Sequence, residues 1–233
     1  MIYFRGCTAR ERETTIADAT EKLLKLANID YITLDDEACC GSFLLRTGFE
    51  KEASEQIEKN KKIFENEKIL TSCAGCYKTF KQDYDNIDVI HISMLLRDLI
   101  NDNKISLDKI DFNVTYHDAC HLARHCNEFD APRDVIKSVA NLVEMDNNKE
   151  NSLCCGAGGG VKSAYPELSH EVSKDRIKQA KDTGAYLLIT ACPFCKLNLK
   201  NQGITVLDLT EFIIGDFNEW KRTGNNEKIF LYC

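Results

Sequence analysis

Short runs of β-branched and aromatic residues alternate along this chain with longer stretches whose apolar positions recur at helical spacing. Residues 1–5 (MIYFR), 30–34 (DYITL), 68–72 (KILTS) and 88–92 (DVIHI) predict short strands. Between them, Ile16, Ala19, Leu23, Leu24 and Ala27 mark one face of a helix. Phe49, Ala53, Ile57 and Phe64 mark another, backed by a Lys/Glu-rich face.

The second half repeats this order. Strands are predicted near 112–117, 142–145, 186–191 and 204–208, with a helix near 166–182 that opens on Pro166 and stops before Gly184. Strand–helix alternation predicts a mostly parallel sheet in each half. The polar stretch 101–111 predicts a boundary, giving units of about 1–105 and 106–233. The expected fold is therefore α/β, with two tandem homologous Rossmann-like domains related by internal duplication about a pseudo-two-fold axis.

Composition changes this picture at one residue type. Hydrophobic content of 43% and charged content of 29% are ordinary for a soluble protein, and a net charge of −7 argues against nucleic acid as the main partner. The chain has 12 cysteines among 233 residues. Its first residues show no apolar leader, and no apolar run approaches a membrane span, so a cytoplasmic protein is expected. In that compartment a thiol count this high favours metal over disulfides.

Ten of the cysteines form two copies of one pattern. The first copy is Cys7, the pair Cys39-Cys40 followed by Gly41, and Cys73-x-x-Cys76. The second is Cys120, the pair Cys154-Cys155 followed by Gly156, and Cys192-x-x-Cys195. Corresponding cysteines lie 113 to 119 residues apart, a spacing of duplicated domains and not of a solenoid. Cys7, Cys39, Cys73, Cys120 and Cys192 each follow a predicted strand, and ligands of open parallel sheets sit beyond strand carboxyl ends. The Cys-x-x-Cys pairs also open helices, whose N-terminal N–H groups favour an anionic site. Zinc is satisfied by four ligands, and an adjacent Cys-Cys pair is awkward for one tetrahedron. Five thiols per copy instead favour an extended iron–sulfur cluster, with structural zinc as the alternative.

These residues resemble a known family, the cysteine-rich CCG-domain proteins. The resemblance rests on HDACHLARH at 117–125, NSLCCGAGGGVKSAYPEL at 151–168 and TACPFCKLNL at 190–199. In the first half it rests on Cys7, ACCGSFLLRTG at 38–48 and SCAGC at 72–76. With two copies, the chain is similar to the catalytic subunit of heterodisulfide reductases of methanogenic archaea. Related domains occur in thiol:fumarate reductases, glycolate and lactate oxidation complexes and anaerobic glycerol-3-phosphate dehydrogenase.

The resemblance implies two non-cubane [4Fe-4S] clusters, one on Cys7, Cys39, Cys40, Cys73 and Cys76, the other on Cys120, Cys154, Cys155, Cys192 and Cys195. It implies a small disulfide substrate, such as that of coenzyme M and coenzyme B, split or formed between them. It also implies partners: a ferredoxin-like iron–sulfur electron donor, a flavoprotein partner, or both. The first copy departs from the family in its shorter Cys40–Cys73 interval and in Ser42, so its cluster geometry is open. Alternative functions are an electron relay for a flavin-dependent hydroxyacid dehydrogenase, and a structural or assembly protein.

Three histidines surround Cys120. His117, His121 and His125 are candidate proton donors to product thiolates, or ring N–H donors to cluster sulfur. The GAGGGVKS run at 156–163 nearly matches a phosphate-binding loop but has Val161 at the required glycine. Gly41, Gly156, Gly158 and Gly159 are instead expected to let backbone approach a cluster or substrate. Lys162 is a candidate contact for an anionic substrate. Cys126 and Cys233 lie outside the pattern and are not expected to be ligands; Cys126 is a candidate reactive thiol.

Overall fold

The computed structural model describes residues 1–64 and 66–215; Cys233 and the apolar IFLY before it lie outside the described residues. Both sheets are wholly parallel. In the first half, β1 (Ile2–Phe4), β2 (Ile69–Thr71) and β3 (Val89–His91) stand in the order β1-β2-β3. In the second, β4 (Asn113–His117), β5 (Asn141–Leu142), β6 (Leu187–Thr190) and β7 (Thr205–Asp208) stand in the order β5-β4-β6-β7.

The strand expected at 30–34 contracts to one parallel bridge between Ile2 and Ile32, and the one at 142–145 contracts to β5. Each is an edge segment with a sheet neighbour on one side only, so little backbone pairing holds it extended. Counting the Ile32 bridge, the two halves share one strand order, which is compatible with internal duplication.

Helices fill the crossovers. In the first half they are α1 (Cys7–Glu11), α2 (Thr14–Leu26), α3 (Ser42–Arg46), α4 (Glu50–Ile63), α5 (Ala74–Gln82) and α6 (Ile92–Asn101). In the second they are α7 (Asp130–Val139), α8 (Val161–Ala164), α9 (Pro166–Asp182), α10 (Pro193–Leu199) and α11 (Leu209–Ile214). The predicted apolar faces turn inward: Ile16, Ala19, Leu23 and Leu24 of α2 and Ala53 and Ile57 of α4 are buried, whereas Phe49, before α4, is 49% exposed. The helix expected over 166–182 forms with those bounds, its first turn tolerating Pro166 because that N–H has no intrahelical partner.

The two halves share one core. α2 packs on α11 and α6 on α7, two contacts that interchange when the halves are interchanged. One continuous apolar cluster includes Tyr3, Leu24 and Leu70 from the first half and Val114, Ile189 and Phe212 from the second. Each such side chain contributes roughly 1.5–3 kcal/mol by leaving water. Buried Lys196 adds an ionic tie, bonding Glu13 of the first half at 3.1 Å and Glu211 of the second at 2.6 Å. The break near 101–111 thus divides the chain without dividing the core, and the seam between sheets becomes a fixed surface.

Candidate metal centre

Parallel strands put their carboxyl ends on one edge, and the cysteines follow those ends. Cys7 comes after β1, Cys73 after β2, Cys120 after β4 and Cys192 after β6. Cys73 and Cys192 sit in extended backbone directly before α5 and α10, the latter opened by Pro193. Every described cysteine is a free thiol. Within the first set, side-chain contacts run Cys7–Cys39–Cys40–Cys76–Cys73. Within the second they run Cys120–Cys154–Cys155–Cys195–Cys192. The two runs then meet, because the Cys73 and Cys192 thiols contact each other across the seam. The six inner thiols are buried, and the outer ends at Cys7 and Cys120 reach solvent.

This donor set fits iron–sulfur chemistry. Each half gathers five sulfurs where tetrahedral zinc uses four. Backbone N–H groups aim at the sulfurs: Gly41 N at Cys39 Sγ (3.4 Å), Gly156 N at Cys154 Sγ (3.3 Å), and those of Phe194 and Cys195 at Cys192. Such donors favour anionic sulfur. Against them, the Cys154 sulfur and burial push Cys155 up to about 12. Thiols in this state become thiolates by binding a cation, so loading the site releases protons.

The two sets are braced differently. In the first half the buried Glu37 carboxylate, on the loop before Cys39, accepts from the Arg5 N–H (2.9 Å) and the Gly6 N–H (2.8 Å) of the Cys7 loop. The Arg10 guanidinium also donates to the Glu37 carbonyl. Gly6 is needed there: its φ is +79°, and an added side-chain carbon would lie 3.0 Å from Cys76 Sγ. Phe4, Phe64 and Phe80 pack edge to face with centroids 4.9–5.8 Å apart beside this set.

In the second half the carboxylate is on the opposite loop. Asp118, before Cys120, takes a bidentate pair from Arg133 (2.7 and 2.9 Å) and the Lys149 N–H (2.8 Å). Arg133 bonds Glu144 as well, at 2.7 and 3.0 Å. Arg176 of α9 is fully buried and donates to the Asn147 carbonyl (2.8 Å), Ser152 Oγ (3.0 Å) and His117 Nδ1 (3.0 Å). Arg124 donates to the Ser152 carbonyl. These bonds hold the long segment between β5 and Cys154 in place.

The three histidines separate by position. His117 is buried at the end of β4, one ring nitrogen within 4.8 Å of the Cys155 and Cys195 sulfurs. Burial, then the Arg176 charge, lower its pKa to about 3, so its ring is neutral. His121 lies against Cys120, with Nδ1 3.6 Å from Sγ. His125 is exposed, its ring tilted 43° to that of His121 with centroids 5.0 Å apart. The glycines also separate. Gly41 and Gly156 take matching left-handed conformations (φ +86° and +89°), and a side-chain carbon on Gly156 would strike the Ser169 carbonyl at 2.5 Å. Gly158 and Gly159 have nothing within 4 Å of such a carbon. Lys162 donates to Asn198 Oδ1 at 2.5 Å. Burial raises the Cys126 thiol, with Lys81 and Lys78 opposing.

His91 was not singled out in the sequence. It is fully buried at the end of β3, accepts from the Ser93 N–H at Nδ1 (3.2 Å), and faces the carbonyls of Ser72 and Ala191, the residues before Cys73 and Cys192. Its neighbourhood joins the two Cys-x-x-Cys loops, a role that strand-end placement alone does not reveal.

The sequence model of the family described as "Cysteine-rich domain" (CCG) matches residues 1–81 and 114–200. The chain belongs to this family. It is 42% identical over 216 residues to a dihydromethanophenazine:CoB–CoM heterodisulfide reductase subunit of Methanosarcina acetivorans, covering 85% of this chain and 53% of that one. It is 34% identical over 204 residues to a fumarate reductase (CoM/CoB) subunit of Methanothermobacter marburgensis, covering 85% and 41%. The EtfAB:quinone oxidoreductase of Syntrophomonas wolfei is 30% identical over 232 residues, covering 90% and 32%. The chain therefore spans about half the length of the heterodisulfide reductase subunits it matches, and less of the others. Among solved structures, the aspartate racemase of Picrophilus torridus aligns over 96% of this chain and 92% of its own, at 14% identity and a TM-score of 0.41, a likeness that carries no functional argument. No helix among the described residues is long and apolar enough to cross a membrane.

Proposed function

We propose that the chain is an iron–sulfur redox subunit of a heterodisulfide reductase-like complex, with one non-cubane [4Fe-4S] cluster on each cysteine set. Its reaction is reduction or formation of a small disulfide between the sets. The observation that supports this reading is the interaction of Cys73 with Cys192 across the seam, which would make groups held on the two sets neighbours. Clusters bound there supply single electrons and iron that accepts sulfur. Reduction of a disulfide consumes two electrons and two protons and gives two thiols. His121 would deliver protons; its nearness to Cys120 and to exposed His125 supports that role. His117, neutral and held by Arg176, is suited to a hydrogen bond and not to proton delivery.

The electrons come from a partner: a ferredoxin-like iron–sulfur protein or a flavoprotein. Relatives named as subunits of reductases support that reading. The likeness to an EtfAB:quinone oxidoreductase favours a second reading, a relay that binds no disulfide. Electron paramagnetic resonance of the anaerobic full chain separates the two. The first reading predicts that added 2-mercaptoethanesulfonate changes the cluster spectrum, and that reduced viologen is consumed with a small disulfide. Spectra indifferent to thiols, with no disulfide turnover, would move the assignment to the relay.

A further inference from the structure

Two buried groups beside the second set have unmet electrostatic needs. Arg176 is fully buried, yet its bonds go to neutral partners: His117 Nδ1, the Asn147 carbonyl, Gln179 Oε1 and Ser152 Oγ. Among the described residues no carboxylate pairs with it, and nearby Asp118 is already engaged by Arg133 at 2.7 and 2.9 Å. A buried cation without an anion is strongly unfavourable. The second group is His117 Nε2, buried and without a partner. Arg176 settles its tautomer. The guanidinium can only donate, so Nδ1 must accept and Nε2 must carry the hydrogen. That N–H belongs to a ring within 4.8 Å of the Cys155 and Cys195 sulfurs.

Among the described residues, no arginine-backed histidine stands at the matching place of the first set. Phe4 stands three residues before Cys7, as His117 stands three before Cys120. It is buried among Phe64 and Phe80.

We infer that Arg176 and His117 form a cation-backed hydrogen-bond donor to the anionic cluster of the second set, and that this makes the second cluster the higher-potential one of the pair. The inference rests on the cluster reading above. A reduced cluster carries one more negative charge than the oxidised one, so a donor and a buried cation stabilise the reduced form more. Electrons entering the pair then settle first on the second cluster. His117 contacts the cluster, and Arg176 acts through it as a positioning residue as well as by its charge.

The test is a reductive titration of the anaerobic full chain followed by electron paramagnetic resonance, with Cys40→Ser and Cys155→Ser assigning the two signals. The second cluster is expected to reduce first. His117→Phe, which installs the first-half residue, should lower the reduced-to-oxidised ratio of that cluster about tenfold at fixed potential, equal to about 59 mV for one electron. The first cluster should not move. Arg176→Met should lower the second cluster's ratio at least as far, with Arg176→Lys restoring part of it. If His117→Phe does not fold, His117→Gln, which keeps an N–H near the Nε2 position, should give a smaller fall than Arg176→Met. Unchanged potentials in these variants would overturn the inference, as would a strong nitrogen coupling from His117 bound directly to iron. Metal analysis of the same samples keeps the two ideas apart. Iron and sulfide without a potential shift sinks this inference alone, whereas zinc without sulfide sinks the cluster reading and this inference with it.

Discussion

The two cysteine sets share a strand order and a pattern of sulfur contacts, yet the walls around them differ in kind. The first is backed by Phe4, Phe64 and Phe80 and braced by one carboxylate, Glu37. The second is backed by His117 and Arg176 and braced by the Asp118–Arg133–Glu144 network. One pattern of sulfur contacts thus stands in two settings, backed by aromatic rings in the first half and by a buried cation in the second. The lesson is that the sulfurs alone do not distinguish the two sets, whereas the buried groups behind them do.

The comparison breaks most sharply at the ligands. Cys40→Ser and Cys155→Ser should each remove one set's iron and leave the other's, halving iron per chain by metal analysis. Loss of all iron from either variant would mean that the sets assemble as one site. Arg133→Met comes next, because it strands the Asp118 carboxylate, 1% exposed, without its bidentate partner. It should cost roughly 3–5 kcal/mol in chemical denaturation. Glu37→Gln should cost less, about 1–2 kcal/mol, since it leaves an amide oxygen able to accept one of the two N–H bonds.

The two left-handed glycines give a smaller contrast. Gly41→Ala meets only its backbone conformation, at roughly 1–2 kcal/mol. Gly156→Ala adds the collision with the Ser169 carbonyl at 2.5 Å and should cost about 1–3 kcal/mol more. Equal losses would mean that α9 shifts to make room.

A further contrast is read against pH, at the residues ending β3 and β7. Burial lowers His91 to about 4 and, at the equivalent place, raises Asp208 to about 8. Asp208 binds its proton more tightly folded than unfolded, so its contribution is greatest at low pH and is lost as pH rises from about 4 through about 8. Asp208→Asn should keep the helix cap, flatten that decline and be relatively more stable at pH 9 than at pH 5. An unchanged pH profile by thermal melting would show Asp208 ionised when folded.

Much of this was legible in the sequence because it is local. Strand–helix alternation, the bounds of α9 and the position of cysteines beyond strand ends follow from residue spacing. The edge segments at 30–34 and 142–145 read as strands from their β-branched and apolar residues, but a single sheet neighbour leaves them barely paired. Arg176 was hidden in a helix rich in Lys and Glu, where a charged position ordinarily faces water. His91, and the Cys73–Cys192 contact, depend on how α2 meets α11 and α6 meets α7. That packing brings together residues more than a hundred positions apart, and no periodicity within either half encodes it.

Both sulfur sets are proposed to hold iron–sulfur clusters. Iron, acid-labile sulfide and zinc per chain, measured on anaerobically purified protein, test that proposal most directly. Two four-iron clusters give about eight irons per chain with matching sulfide. Zinc at one or two per chain, without sulfide, would contradict it.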